Sequence, residues 1–331
     1  MGNKILEFEK PLIELKEKIK ELQNFMQEKN LDLEDEVNKL KERAQNLQED
    51  IYSNLEAWQI LKIARHTDRP AALDYIKYIT DDFIELHGDR KFSDDLALVG
   101  GIGLIEGRPV TIIGHQKGES TKENLKRNFG MAHPEGYRKA MRLMKQAEKF
   151  NRPIISLINT PGAYPGVGAE ERGQAEAIAR NIMEMSALEV PIIIIIIGEG
   201  GSGGALGIGV GDEIMMFEYS YYSVSTPEAC AAILWKDSKK ANVAAEALTI
   251  TAPELKKLGI IDTIISEPAG GAHKNPEKAA QLLKKELNRS LIKLEKLSIN
   301  KLKANRYNKY REIGEMKVNK IKQSLNRAQS N

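Results

Sequence analysis

The chain has 331 residues, 41% of them hydrophobic and 29% charged, with 49 Lys and Arg against 47 Asp and Glu for a net charge of +2. That length allows one large α/β domain with appendages, or two domains, and the charge balance singles out neither nucleic acid nor a membrane surface as a partner. A single cysteine, Cys230, excludes a disulfide framework and any multi-cysteine metal site.

The N-terminus, "MGNKILEFEK", has no signal-peptide core, and Leu6 stands where N-myristoylation needs Ser or Thr. The longest glycine-free apolar run, Val190 to Ile197, is far short of the roughly 20 residues that span a bilayer. The expectation is a cytosolic protein with no membrane partner.

Residues 1–65 carry helical patterning. Leu12, Leu15, Ile19, Leu22 and Met26 form one apolar stripe, and Leu33, Val37, Leu40, Ala44, Leu47 and Ile51 a second. The break between them, "KNLDLEDE", sets Asp32 and Asp35 at capping-box spacing. The expectation is an antiparallel helical hairpin, an arm for docking, oligomerisation or packing on its own domain.

From about residue 95 the pattern becomes strands alternating with helices. Two β-rich runs flank a turn at Glu106-Gly107-Arg108-Pro109, and the loop 116–134 follows. A helix is expected from Glu135 to Phe150, with Pro134 suited to its first turn. Then come the strand "PIISLINT", the loop "PGAYPGVGAEERG" and a helix over 171–188. The strand "PIIIIIIG" runs into "GEGGSGGALGIGVGDE" and a short helix. "EIMMFE", "YYSVST", the helix "PEACAAILW" and a last strand over 261–265 complete the body. Such alternation implies a largely parallel sheet covered on both faces. Ligands of such sheets bind beyond the carboxyl ends of the strands, so the loops 116–134, 160–170 and 198–205 should converge. The remainder, 280–331, is helix-patterned and basic, with Leu283, Leu287, Leu291 and Leu294 on one stripe. The basic tail 300–331 is read as a solvated helix fraying at its end; nucleic-acid binding through it is the competing possibility.

Five glycines within 198–204 need a cause, because glycine costs about 0.5–1 kcal/mol in regular structure. A strand ends there and a helix begins. The amides of Gly203 and Gly204, with Ala205 as the alternative register, should be bare at the helix start and suit a phosphate or a developing oxyanion. Walker A would need Lys-Ser/Thr where Ala205-Leu206 stands. Gly200-x-Ser202-x-Gly204 also matches a serine-hydrolase elbow. A hydrolase in the order Ser, acid, His would have only His273 available, and Ser202 is otherwise a small residue whose hydroxyl caps the helix. Lys117, Arg127 and Arg138 in and beyond the first loop are possible anion contacts. His115, at a strand end, is read as structural. No histidine pair has metal spacing, so no metal is expected in this chain.

"GHQKG", "NFGMAHPEGYRKA", "NTPGAYPGVGAEERGQAEAIA", "GEGGSGGALGIGVGDE", "YSVSTPEACAAILWK" and "EPAGGAH" occur in this order over about 160 residues. Together the series resembles the carboxyltransferase α subunits of bacterial and plastid multi-subunit acetyl-CoA carboxylases, over roughly residues 5–300. The resemblance implies a crotonase-like fold of repeated ββα units and an organisation into an arm (1–65), a carboxyltransferase domain (66–295) and a tail (296–331). It implies carboxyl transfer from carboxybiotin, held by a biotin carboxyl carrier protein, to acetyl-CoA. The product is malonyl-CoA, the first committed step of fatty acid synthesis. It also implies an ATP-binding complex with biotin carboxylase, and a β subunit that carries a zinc ribbon and assembles with this chain as α2β2. By position the oxyanion donors are Gly203 and Gly204, with Gly162, Ala163, Tyr164, Pro165, Gly166, Gly200 and Gly201 lining the carboxybiotin approach. Asn159 and Lys274 depart from the family's usual Asp and Arg.

Overall fold

The computed structural model describes residues 5–29 and 32–314. The two N-terminal stripes form α1 (Lys10–Lys29) and α2 (Glu34–Ser53). Leu12 and Ile19 bury against Val37 and Ala44, and Lys16 Nζ reaches Gln48 Oε1 at 2.7 Å, so the pair runs antiparallel as expected. The capping differs: Leu33 is the N-cap and its side chain accepts nothing. Asp32, one residue further out, accepts the Glu34 amide at 3.4 Å. Part of the break, residues 30 and 31, lies outside the described residues. Glu9 ties the hairpin to the body, accepting from the Tyr52 hydroxyl and lying 3.3 Å from Lys274 Nζ.

Two short helices follow, α3 (Ala57–Ala64) and α4 (Ala72–Ile79), then the edge strand β1 (Phe83–Glu85). Strands β2 (Leu98–Ile105) and β3 (Arg108–His115) pair antiparallel around a two-residue turn. Glu106 and Gly107 there have φ of 49° and 75°, the type I′ geometry that matches strand twist. The following stretch is not plain loop: Ser120 caps α5 (Thr121–Lys126), accepting the Glu123 amide at 3.2 Å. Next come α6 (Pro134–Lys149), β4 (Ile154–Thr160), α7 (Val167–Glu171), α8 (Gln174–Ala187), β5 (Ile192–Gly201) and α9 (Ser202–Leu206). They are followed by β6 (Glu213–Phe217), β7 (Tyr221–Ser223), α10 (Pro227–Trp235), α11 (Ala241–Ala247), α12 (Ala252–Lys257) and β8 (Thr263–Ile265). Helices α13 (Pro276–Leu294) and α14 (Ile299–Glu312) end the described chain.

The sheet order is β1-β2-β3-β4-β5-β6-β8, with β7 pairing the far end of β5; all pairs from β3 onward are parallel. The isoleucine run of β5 shows why both faces must be covered. Ile192, Ile194 and Ile196 join the cluster made with Tyr137, Leu143 and Met185 of α6 and α8. Ile193, Ile195 and Ile197 join the opposite cluster, with Ile76 of α4 and Leu283, Leu287 and Leu291 of α13. Period-two alternation thus gives each face its own apolar layer, which explains an uninterrupted apolar strand.

The C-terminal helix departs from the expected solvated end. Arg306 of α14 is 1% exposed. Its guanidinium makes five hydrogen bonds of 2.7–2.9 Å, to both carboxylate oxygens of Asp212 and to the carbonyls of Met185, Leu188 and Val190. A fork of donors matched to fixed acceptors docks the helix where a heptad count shows only charge. Residues 315–331, the rest of the basic tail, lie outside the described residues.

Candidate active site

The site begins with a register shift. Ile158 of β4 faces Ile196 of β5, yet Thr160 faces Gly200. Asn159 fills the gap, its Oδ1 accepting the Glu199 amide at 3.1 Å. An acceptor is all this position needs, and the amide supplies one without a buried charge.

Beyond the shift the two strand ends touch backbone to backbone. A β-carbon on Gly201 would lie 2.1 Å from the Pro161 carbonyl oxygen, and one on Gly204 would lie 2.3 Å from the Gly162 carbonyl carbon. Only glycine permits that approach. Gly203 and Gly162 differ: a β-carbon there would meet nothing nearer than 4.0 Å. Those two positions face open space, a cavity of about 440 Å³. Its walls include Gly162, Ala163, Tyr164 and Pro165, then Ser202, Gly203 and Gly204, then Ser225 and Thr226, with Glu170 and Gln174 from the next two helices. An apolar cavity of about 340 Å³ adjoins it across Ser202 and Gly203, lined by Leu206, Tyr222, Val224 and Leu258 among others.

The Gly204 amide is aimed by the carbonyl of its own peptide. The Gly203 carbonyl accepts from the Gly207 amide at 2.9 Å, down the helix. A trans peptide places the Gly204 N–H opposite, out of the helix end. The next carbonyl, Gly204, accepts from the buried Tyr137 hydroxyl at 3.3 Å, which fixes the peptide carrying the Ala205 N–H. Among the described residues no hydrogen bond outside regular secondary structure takes the Gly203 or Gly204 amide. These N–H groups belong to the helix's unsatisfied first turn, where an oxyanion is favoured.

Several expected wall residues lie elsewhere. Gly200 packs against Tyr222 and Gly201 against Pro161, both behind the cavity, and the Tyr164 ring covers Gly166. Ala205 is fully buried. Lys117 pairs with Glu199, Arg127 Nη1 donates to the Leu96 carbonyl at 2.8 Å, and Arg138 donates to the Arg172 carbonyl. None of the three lines the cavity. The first loop does converge, as a buttress: the Ala132 carbonyl accepts the Tyr164 amide at 3.1 Å, and the His133 ring stacks on Tyr164 at 4.2 Å.

Ser202 does not cap its helix. Gly201 is the N-cap, and Ser202 is the first helical residue with a left-handed φ of 55°. The strained turn resembles a nucleophile elbow, but among the described residues no histidine or carboxylate bonds its hydroxyl, and no histidine lines either cavity. His273 stacks on His66 at 4.0 Å. His115 is fully enclosed, and burial, with Lys117 nearby, lowers it to about 3, so the ring is neutral.

Sequence reasoning missed three features. Gln174 opens α8 and clamps the loops, donating to the Ala132 carbonyl at 2.9 Å and the Tyr164 carbonyl at 3.0 Å. Thr226 caps α10 through the Ala229 amide at 3.2 Å, a signal present in "STPEA". Glu199 is buried between Arg65 Nε at 2.6 Å, the Tyr221 hydroxyl at 2.7 Å and Lys117. Burial alone would raise its carboxyl; Lys117 and Arg65 overcome that and hold it at about 2. A lone acid inside a glycine run was its only sequence signal.

Residues 5–314 match the family described as "Acetyl co-enzyme A carboxylase carboxyltransferase-like". The chain belongs to this family. It is 58% identical over 310 residues to the acetyl-coenzyme A carboxylase carboxyl transferase subunit alpha of Oceanobacillus iheyensis, covering 94% of this chain and 98% of that one. The Halalkalibacterium halodurans protein of the same name is also 58% identical, with 94% and 95% covered. Among solved structures, the Pseudomonas malonate decarboxylase MdcD–MdcE heterodimer matches with TM-score 0.56 and 15% identity, covering 72% of this chain and 95% of that one. Transcarboxylase 12S matches with TM-score 0.52 and 20% identity, covering 67% of this chain and 44% of that one. These distant matches establish the fold alone: the chain has the crotonase-like α/β fold that the motif series implied. Among the described residues, no cluster of His, Cys, Asp or Glu could hold a metal, and no helix is long and apolar enough to cross a membrane.

Proposed function

We propose that the chain is the alpha carboxyltransferase component of acetyl-CoA carboxylase, working in the cytoplasm and moving a carboxyl group from carrier-bound carboxybiotin to acetyl-CoA to give malonyl-CoA. The observation that carries this, beside family membership, is the pair of first-turn amides at Gly203 and Gly204 in the glycine-built wall of the cavity. Carboxybiotin supplies the activated carboxyl and, once it departs, negative charge on the ureido oxygen. Gly203 and Gly204 donate their N–H groups to that oxygen. Gly162 and Ala163 leave room for the ring, Tyr164 and Pro165 flank its approach, and Gln174 holds the two loops at fixed separation. Preorganised donors of this kind are each worth about 10²–10³ in rate. No nucleophile or base of this chain takes part, in keeping with an unassisted Ser202.

The partner is a β subunit that carries the zinc and the acetyl-CoA side, assembled as α2β2. Helix α10 supports the need for one: Ile233 and Leu234 are 66% and 63% exposed on a helix whose Thr226 end lines the cavity. A biotin carboxyl carrier protein delivers the substrate, and biotin carboxylase reloads it. The organisation is an arm over 1–65, a carboxyltransferase domain over 66–295 and a tail over 296–331.

The test is carboxyl transfer from malonyl-CoA to a free biotin derivative, with and without β. Transfer only in the mixture is the expected result; transfer by this chain alone, or none with β, overturns the assignment.

A further inference from the structure

Glu199, itself buried, is the hub of a charge cluster one residue before the glycine turn. Its Oε1 accepts from Arg65, the C-cap of α3, at 2.6 Å and from the Tyr221 hydroxyl at 2.7 Å, while its Oε2 meets Lys117, two residues beyond β3. Arg65 continues to Glu228 of α10, with Nη1 at 2.5 Å from one oxygen and Nη2 at 3.3 Å from the other. The cluster holds two cations and two anions, so it is neutral. Its outputs are both walls of the cavity. On one side the Glu199 backbone leads directly into Gly200–Gly204. On the other, Glu228 sits two residues after Thr226, which faces those glycines across the cavity.

We infer that Glu199 is a positioning residue that fixes the Gly203 and Gly204 amides relative to the Ser225–Thr226 wall through Lys117, Arg65 and Glu228. It does not line the cavity, so it acts only through its partners. Four elements that are distant in sequence meet at this carboxylate, and a side chain needed only for stability at a buried strand end would be apolar. Polar clusters of this kind, fully satisfied, specify one geometry.

The inference rests on the carboxyltransferase assignment and is tested with the assembled α and β chains in malonyl-CoA decarboxylation with a biotin derivative. Activity of the unsubstituted complex checks the assignment itself, independently of any variant. Glu199→Gln keeps the shape but sets an amide donor against Lys117. We expect kcat to fall about 10²-fold, the scale of an ångström-sized misplacement, with KM unchanged, because the lost interaction is one made in the transition state. Glu199→Gln with Lys117→Met restores neutrality. A structural role predicts that melting temperature and kcat recover together; positioning predicts that melting recovers while kcat stays low. Tyr221→Phe keeps every charge and removes the hydroxyl's two hydrogen bonds, to Glu199 at 2.7 Å and from Arg65 Nη2 at 3.2 Å, so it serves should the first variant not fold; kcat should drop about tenfold or more, the scale of a hydrogen bond to a charged group. Wild-type kcat in folded, assembled Glu199→Gln or Tyr221→Phe, or joint recovery in the double variant, overturns the inference.

Discussion

Gly204 and Gly162 lie backbone against backbone, so close that a β-carbon on Gly204 would sit 2.3 Å from the Gly162 carbonyl carbon, while its neighbour Gly203 faces 4.0 Å of open space. Adjacent glycines therefore exist for different reasons, one for packing and one for access. Substitution separates them. Gly204→Ala should lower stability by about 1–3 kcal/mol through overpacking, visible in thermal melting. Gly203→Val should melt like the unsubstituted protein and lose about 10²-fold or more in transfer rate by obstructing an oxyanion donor. Equal melting losses in both variants would contradict the division of roles.

Ser202 pays for its place with a left-handed φ of 55°. That conformation costs a non-glycine residue about 1–2 kcal/mol. Ser202→Gly should relieve it and raise the melting temperature. A fluorophosphonate should add no mass to the protein, since no base bonds the hydroxyl. Stoichiometric labelling at Ser202 would revive a hydrolase.

Arg306 is the peg of the C-terminal helix. Arg306→Ala leaves Asp212 buried at 3% side-chain exposure with its countercharge gone and three carbonyls unpaired. The expected cost is about 3–5 kcal/mol. Arg306→Lys should not rescue it, because an ammonium cannot span five fixed acceptor contacts. Chemical denaturation reads both.

The exposed face of α10 should be what the β subunit covers. Leu234→Glu is expected to leave melting unchanged, the side chain being 63% exposed, and to weaken association with β by about 2 kcal/mol or more, as hot-spot truncations do. Titration calorimetry or size-exclusion chromatography of the mixture measures it. Unaltered association would place the interface on another face.

What the sequence made legible follows from periodicity and backbone chemistry. The apolar stripes gave the hairpin, the isoleucine run gave a doubly covered strand, and the glycines marked the strand-to-helix turn. The cavity's other residues were hidden because their roles are long-range. Gln174 matters through carbonyls that the fold brings to it from residues 132 and 164. Arg138 looks like an anion contact in a basic loop, yet it is engaged by the Arg172 carbonyl and Glu176. Arg306 looks like any residue of a basic tail until three carbonyls and Asp212 surround it. Charge type is local information; the identity of a partner is not.

Glu199 makes the fold acid-sensitive with a definite sign. Its carboxyl ordinarily titrates at 4.5 and is held at about 2 in the fold, burial being outweighed by Lys117 and Arg65. A depressed folded value means that the unfolded chain binds the proton first. The stabilisation is complete above pH 4.5 and is lost as pH falls from there through about 2. A displacement of that size corresponds to about 3 kcal/mol. Denaturant melts at pH 6, 4 and 3 should show stability falling across this window, and the fall should be shallower in Glu199→Gln, which has no proton to take up. The transfer rate, measured where the fold is intact, should show no inflection belonging to Glu199 above pH 4.5, because the carboxylate is already charged there. A variant whose acid denaturation follows the same steep course as the unsubstituted chain would mean that other carboxylates, such as Asp94 beside Lys139 at 2.6 Å, dominate the transition.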